Sequence, residues 1–426
     1  MRQCNTESYA FPLMPPGDID KPRDVLTEIL RNGAQDMLRQ AVQDEVVRYL
    51  AERADVVDAD GHQQVIRNGY LPKRNVTTGI GAVEVQQPRV RDRRAPDERE
   101  KFTSSILPPY LRRTKSMEEL LPWLYLKGIS TGDFGEALQA LLGENAKGLS
   151  ATTITRLKSI WETEYQDWSK RSLAEKHYVY VWADGIYFNV RLEDPDNKRQ
   201  CILVLMGATT NGKKELIGIT EGYRESKQSW MELLLDCQSR GIGQCGGDPE
   251  LGIGDGGLGF WSALREVWHS TAEQRCWVHK TSNVLNKMPK SVHAKAKWML
   301  HDIWMADTRA AAEKALDLFV DTFSSKYPKA VECLTKDRDM LLTFYGFPAE
   351  HWSHLRTTNP IESTFATVRL RTDKTKGCGS RTACLTMVFK LTQSAERHWR
   401  ALNGSTLISD VIAGVQFVDG EKVSAA

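Results

Sequence analysis

The sequence lacks any sign of a disulfide framework. Its eight cysteines, Cys4, Cys201, Cys237, Cys245, Cys276, Cys333, Cys378 and Cys384, form no Cys-x-x-Cys pair and no regular spacing, the usage expected of reduced thiols in a reducing compartment. Also missing is any run approaching the ~18 to 20 apolar residues that a membrane span requires. Met1 to Pro16 lacks the charged start and apolar stretch of a leader, so the expectation is a cytoplasmic protein. An excess of one charge sign is absent too, since 57 Lys and Arg stand against 55 Asp and Glu for a net charge of +2. That balance does not exclude an acidic partner, because clustering decides local potential. With 41% hydrophobic and 26% charged residues the chain lies far from the composition of disordered or fibrous proteins. Its 426 residues are enough for two to four domains.

What is present changes character along the chain. Between Pro15-Pro16-Gly17 and the polar stretch from Asp58 to Gly61, Val25, Ile29, Leu38, Val42, Val46 and Leu50 recur at helical spacing, and Asn32-Gly33 predicts a break into two helices. Val76-Thr77-Thr78 and Val83-Glu84-Val85 then read as strands of a small sheet or hairpin. That region carries Arg67, Lys73, Arg74, Arg89, Arg91, Arg93 and Arg94 against only Glu84 and Asp92, a positive ribbon suited to an acidic partner. Residues 101–176 predict three helical pieces, separated by Lys127 to Ser130 and by Gly143 to Ser150. Both a helix-turn-helix that reads DNA and an ordinary helical subdomain fit this pattern.

A second shift begins at His177. Tyr178 to Ala183 is apolar on both parities, the mark of a strand covered on both faces. Strands at Cys201 to Met206 and Glu215 to Ile219 follow across an Asn211-Gly212 turn. Next come a helix from Ser226 to Arg240, a strand ending at Asp255, a helix from Phe260 to Trp268 and a strand at Gln274 to Val278. The plan is α/β with a mixed sheet. From Lys280 to about Trp352 the pattern is helical, with Ala315, Leu318, Phe319 and Phe323 on one face, and Trp298, Trp304 and Trp352 are assigned to its core rather than to base stacking. A last helical segment runs from Asn359 to about Leu402.

Three acids stand out within this plan. Asp184 ends a hydrophobic strand, where a buried unpaired carboxylate costs several kcal/mol, although a strand-end Asp-Gly turn also accounts for it. Asp255 repeats the pattern between Gly254 and Gly256. Glu362 follows Asn359-Pro360-Ile361, in which Asn359 suits an N-cap, Pro360 the first helical position and Glu362 a capping-box return. The same helix face carries Arg369 two turns on, placed for a phosphate, while Ile361, Phe365 and Val368 turn to a core. Brought together, three carboxylates repel unless divalent cations share them, and Mg²⁺ or Mn²⁺ prefers such hard oxygen donors. Cys276-x-x-His279 offers two zinc ligands where a structural site needs four, so packing or hydrogen bonding beside the strand ending at Asp255 is the reading adopted.

Asp184 on the first strand of a meander, Asp255 at a later strand end, Cys276-Trp277-Val278-His279, a helical insertion and Thr357-Thr358-Asn359-Pro360-Ile361-Glu362 with Arg369 and Arg371 together resemble the Mutator-like DDE transposases, in particular their bacterial insertion-sequence branch. Arg67-Asn68-Gly69-Tyr70 with Arg74, Thr77, Gly79 and Pro88-Arg89-Val90-Arg91 resembles the family's N-terminal region. The resemblance implies a ribonuclease H-like mixed-sheet core interrupted by an all-α insertion and preceded by a DNA-binding helical and small β region. The implied divisions are an N-terminal DNA-binding region (1–100), an end-recognition region (101–176), the first part of the core (177–280), the insertion (281–355), the final core helix with Glu362 (356–402) and a C-terminal tail (403–426).

It further implies a catalytic triad of Asp184, Asp255 and Glu362 holding two Mg²⁺ or Mn²⁺ ions, cleavage at the element's ends and strand transfer into target DNA. The implied partners are double-stranded DNA, as terminal inverted repeats and target, and at least a second copy of the chain, since two ends must meet. Arg67, Lys73, Arg74, Arg89, Arg91, Arg356, Arg369, Arg371, Lys374 and Lys376 are the expected DNA contacts, with Cys276, His279 and Asn359 structural near the site. Two alternatives stay open: a DNA-binding derivative without catalysis, and a ribonuclease H-like nuclease that does not transpose.

Overall fold

The computed structural model describes residues 25–126, 129, 138, 151–190, 199–222, 224–374 and 380–423. The chain divides into two compact units, Met1–Leu121 with Gly132–Gly148, and Pro122–Thr131 with Leu149–Ala426.

In the first unit, helix α1 (Val25–Ala51) is continuous, against the expected break at Asn32-Gly33. A single glycine costs a helix only about 1 kcal/mol and does not end it, and here no neighbouring group crowds Gly33. The helix is anchored through its later turns, where Val42 packs with Val76, Val83, Val85 and Leu107. Glu45 adds a polar tie by accepting from the Ser104 hydroxyl at 2.5 Å and the Ser105 backbone N–H at 2.6 Å. Four short strands, β1 (Val65–Tyr70), β2 (Arg74–Thr78), β3 (Gly81–Val85) and β4 (Pro88–Asp92), form two antiparallel pairs, β1 with β4 and β2 with β3. Of the three helices expected in residues 101–176, two are seen: α2 (Lys115–Leu126), which begins in this unit and ends in the second, and α3 (Ala151–Ser169), which belongs to the second. The middle one falls outside the described residues.

The second unit is built on a five-stranded sheet. Strands β5 (Tyr178–Asn189), β6 (Arg199–Thr209) and β7 (Lys214–Gly222) form the expected antiparallel meander, and β8 (Leu251–Gly254) and β9 (Ala272–Arg275) extend it in parallel, in the order β7-β6-β5-β8-β9. Both faces of β5 and β6 are apolar because both are covered. Val181, Ala183, Leu203 and Leu205 pack against helices α4 (Lys227–Ser239) and α5 (Leu258–Val267) through Trp230, Leu234, Phe260 and Leu264. On the other face Trp182, Ile186, Val204 and Met206 share a core with helices that come later in the chain.

Those later helices are α6 (Trp277–Leu285), α7 (His293–Met305), α8 (Arg309–Phe323), α9 (Pro328–Thr335), α10 (Arg338–Leu341), α11 (Trp352–Leu355), α12 (Asn359–Lys374) and α13 (Arg381–Glu396). A buried ion cluster ties them to the sheet: Asp337 accepts from Arg275 at the end of β9, at 2.9 Å, and from Lys280 in α6. Cys276 caps α6 rather than lying within a strand, because β9 pairs with only the four residues of β8 and then turns into the helix. Trp352 is buried as expected, whereas Trp298 is 64% exposed. The segment after α13 is packed, with helix α14 (Ile408–Ile412) and Phe417 of strand β10 (Phe417–Val418) contributing to the same core. Among the described residues no helix is long and apolar enough to cross a membrane.

Candidate active site

The register of β5 against β8 brings two carboxylates together. Ala183 pairs with Gly254, so the next residues, Asp184 and Asp255, continue side by side where β8 ends. Asp184 alternates onto the face of Trp182 and Ile186, toward the later helices. It is 8% exposed, and its Oδ1 accepts from the Gly185 N–H at 2.8 Å. Burial pushes this carboxyl up to about 7. The charge of His279 and the Gly185 hydrogen bond oppose the rise, and repulsion from Glu225 and Glu362 adds to it. Asp255 is half-buried and accepts from the Gly256 N–H. Its own carbonyl accepts from Trp261 Nε1 at 2.9 Å, which fixes the Gly256-Gly257 turn.

Glu362 arrives on the first turn of α12. The first helical hydrogen bonds run to the Thr358 carbonyl, from Ile361 at 2.9 Å and Glu362 at 3.1 Å, so Thr358 rather than Asn359 sits at the helix start, and Asn359 is exposed. The Glu362 carboxylate accepts from the Thr358 hydroxyl at 2.8 Å. The hydroxyl also lies 3.4 Å from Cys276 Sγ and 3.3 Å from His279 Nδ1, so one threonine joins the Cys-x-x-His segment to the glutamate.

His279 stands between two of the acids. Its Nδ1 is 3.5 Å from Glu362 Oε1 and its Nε2 is 4.0 Å from Asp255 Oδ2. Burial works against the imidazolium, yet the hydrogen bond and charge of Cys276 and the charges of Asp255 and Asp184 outweigh it and push His279 up to about 10. Cys276, His279 and Glu362 donor atoms all lie within 4.8 Å of one another, a third ligand that sequence spacing did not show. Cys276 Sγ also accepts from the Thr358 N–H at 3.4 Å.

Sequence reasoning missed Glu225, which lies in the turn before α4. Its side chain fills the space in front of Gly185, where an added Cβ would lie 2.6 Å from Glu225 Cγ, and an added Cβ on Gly257 would lie 3.2 Å from Oε2. Burial raises its carboxyl, Asp255 adds repulsion, and His279 and the Tyr187 hydroxyl oppose the rise. The available signal was its position: like Asp255 it lies just beyond the end of a strand, whereas Asp184, expected at a strand-end turn, lies within β5, where the ladder with β6 runs on to Asn189.

Comparison with known proteins decides the family. Residues 18–401 match the sequence profile described as Transposase, Mutator family. The chain belongs to the Mutator family of transposases. It is 52% identical over 304 residues to the transposase for insertion sequence element IS6120 of Mycolicibacterium smegmatis, covering 71% of this chain and 92% of that protein. It is 52% identical over 285 residues to the transposase for insertion sequence element IST2 of Acidithiobacillus ferrooxidans, covering 67% and 94%. A more distant relative is the transposase for IS256 in transposon Tn4001 of Staphylococcus aureus, 27% identical over 350 residues, covering 82% and 85%.

The basic residues of this Mutator-family chain are distributed over both units. In the first, Arg67, Lys73, Arg89 and Arg91 are exposed, and a groove of about 630 Å³ is lined by Asn68, Arg89, Arg91, Arg93 and Lys101 among others. Lys73 pairs with Glu84 at 2.8 Å, and Arg74 donates to the carbonyls of Leu107 and Pro108. In the second unit, Arg369 is exposed on α12. Arg371 and Lys374 follow on the same helix, and Lys376 lies outside the described residues. Arg356 turns inward: its guanidinium sits 5.1 to 5.6 Å from the rings of Phe344, Trp304 and Trp352 and donates to the Trp304 carbonyl.

These charges predict a pH dependence of the metal-free protein. A carboxyl raised from its unfolded value to about 7 makes the folded state bind the proton more tightly, so stability falls as pH rises across that interval. His279 acts in the same sense, its contribution being lost as pH rises toward about 10. With chelator present, Asp184→Asn is expected to melt increasingly above the wild type as pH is raised from about 5 to about 8, gaining roughly 1–3 kcal/mol. A melting difference independent of pH contradicts the buried-charge account.

Proposed function

We propose that this chain is the transposase of an insertion sequence, which binds the element's terminal inverted repeats as double-stranded DNA and cuts and joins strands at a divalent-metal centre in a ribonuclease H-like core. The observation that carries the reading is the convergence of Asp184, Asp255 and Glu362 from three separate elements in a chain whose relatives are named as insertion-sequence transposases. The donor set suits Mg²⁺ or Mn²⁺. It consists of hard carboxylate oxygens, one of them buried, held up in proton affinity and acted on by other carboxylates. Two such ions held by Asp184, Asp255 and Glu362 would supply activation of the attacking water or 3′-hydroxyl and stabilisation of the leaving oxygen at phosphorus.

The chain's own residues prepare that arrangement. The Gly185 and Gly256 N–H groups each bond the aspartate before them and fix its rotation. The Thr358 hydroxyl holds Glu362 on the side of His279. His279 keeps a positive charge between Asp255 and Glu362 and so lowers the cost of assembling the carboxylates. Residues 1–100 are assigned to DNA binding on the strength of the exposed Arg89 and Arg91, which lie two apart and therefore on one face of β4. Arg369, two turns beyond Glu362, is assigned to the phosphate backbone near the reacting strand. At least two copies would act together, one for each element end.

Incubating the full chain with Mg²⁺ or Mn²⁺ and labelled DNA carrying the sequences that flank its gene is expected to give nicks at the repeat boundaries, and Asp184→Asn is expected to abolish them. Nicks scattered without boundary preference, or undiminished in the variant, contradict the reading. For the DNA surface, Arg89→Ala combined with Arg91→Ala is expected to reduce the slope of log affinity against log salt by about 2, from roughly 0.9 per lost phosphate contact. An unchanged slope removes these arginines from the interface.

A further inference from the structure

Glu225 has no place in the triad, yet the surroundings of both aspartates are shaped around it. The glycine after Asp184 and the second glycine after Asp255 leave the space its side chain occupies: a Cβ on Gly185 would lie 2.6 to 2.7 Å from Glu225 Cγ, Cδ and Oε1, and one on Gly257 would lie 3.2 Å from Oε2. Gly259 does the same for the backbone, since a Cβ there would collide with the Glu225 carbonyl and the Lys227 nitrogen. Packing of this closeness is not needed to place a solvent-facing loop glutamate. It brings the carboxylate inward, half-buried, beside Gly185 of β5 and the loop that follows β8.

The direction of approach also matters. Gly185 alternates onto the face of Val181 and Ala183, which α4 and α5 cover, while Asp184 and Glu362 belong to the side of α12. Asp184 and Asp255 are therefore flanked by one glutamate from each side of the sheet. Of the charges that act on Glu225, Asp255 repels and His279 attracts. A carboxylate drawn in beside another carboxylate, with the imidazole of His279 as counter-charge, is in the position of a cation ligand.

We propose that Glu225 is a fourth carboxylate of the metal centre, which holds a divalent cation with Asp184 and Asp255. The inference rests on the reading of Asp184, Asp255 and Glu362 as a divalent-cation site, and it separates two cation positions: one shared with Glu362, the other with Glu225. The hydrogen bond from Tyr187 then orients Glu225 rather than satisfying it. A purely structural glutamate differs in what it controls, since its loss lowers stability and leaves cation affinity alone.

The test is calorimetric titration of Mn²⁺ into the chelator-treated full chain, for wild type, Glu225→Gln and Asp184→Asn, with thermal melts of each in chelator. Wild type is expected to take up two ions at the centre. Glu225→Gln, close in shape and relieved of a repelled charge, is expected to fold and to lose one ion or weaken it by about tenfold or more, while Asp184→Asn loses both. If Glu225→Gln titrates like wild type while Asp184→Asn does not bind, the role of Glu225 is overturned and the three-carboxylate centre stands. If all three proteins titrate alike, or wild type binds no Mn²⁺ at the centre, both readings are overturned. Should Glu225→Gln fail to fold, Tyr187→Phe supplies the second variant: weakened Mn²⁺ uptake supports the proposal, and unchanged uptake contradicts it.

Discussion

Electrostatic repulsion among carboxylates is the constraint around which the second unit is organised. Asp184 and Asp255 are forced into proximity by a sheet register, Glu362 is delivered to them by a helix start and Glu225 by a turn. In water such groups would separate; here the backbone holds them. The desolvated Asp184 consequently keeps its proton to about pH 7, and His279, fixed between Asp255 and Glu362, is held as a cation. The histidine supplies part of the counter-charge among the assembled carboxylates.

The helices after the sheet make this arrangement rigid. Arg275, next to the Cys-x-x-His segment, has its guanidinium against Gly256 on one side and Asp337 on the other, so the loop carrying Asp255 and the helical insertion share one anchor. Breaking a buried cluster of this kind by removing its one acid would leave Arg275 and Lys280 unpaired, which is far costlier than losing a surface pair. Arg356, caged by Trp304, Phe344 and Trp352, braces the segment just before Thr358 in the same way, and its carbonyl accepts from the Trp277 N–H at 2.9 Å. The insertion thus positions Glu362 through packing as well as through chain connectivity.

Much of this was legible in the sequence where local pattern and environment agree. Tyr178 to Ala183 is apolar on both parities because helices cover both faces, and Asp184 stood out because it interrupts that run. The reading failed where tertiary contacts choose between local options. Asn32-Gly33 looks like a helix break, yet packing at Val42 carries the helix through. Asn359 looks like the cap, but the hydroxyl of Thr358 already faces Cys276, His279 and Glu362, so the helix begins there. The caging of Arg356 depends on aromatics up to 52 residues away in sequence, and Glu225 carries no motif, since its meaning lies in the glycines it packs against.

The central claim is that these carboxylates form one cation-binding centre, and anomalous scattering from crystals grown with Mn²⁺ tests it most directly. The account predicts an anomalous peak bonded to carboxylate oxygens of both Asp184 and Asp255. A map without a peak there, or with Mn²⁺ only at the exposed cluster of Asp58, Asp60 and His62, would contradict it.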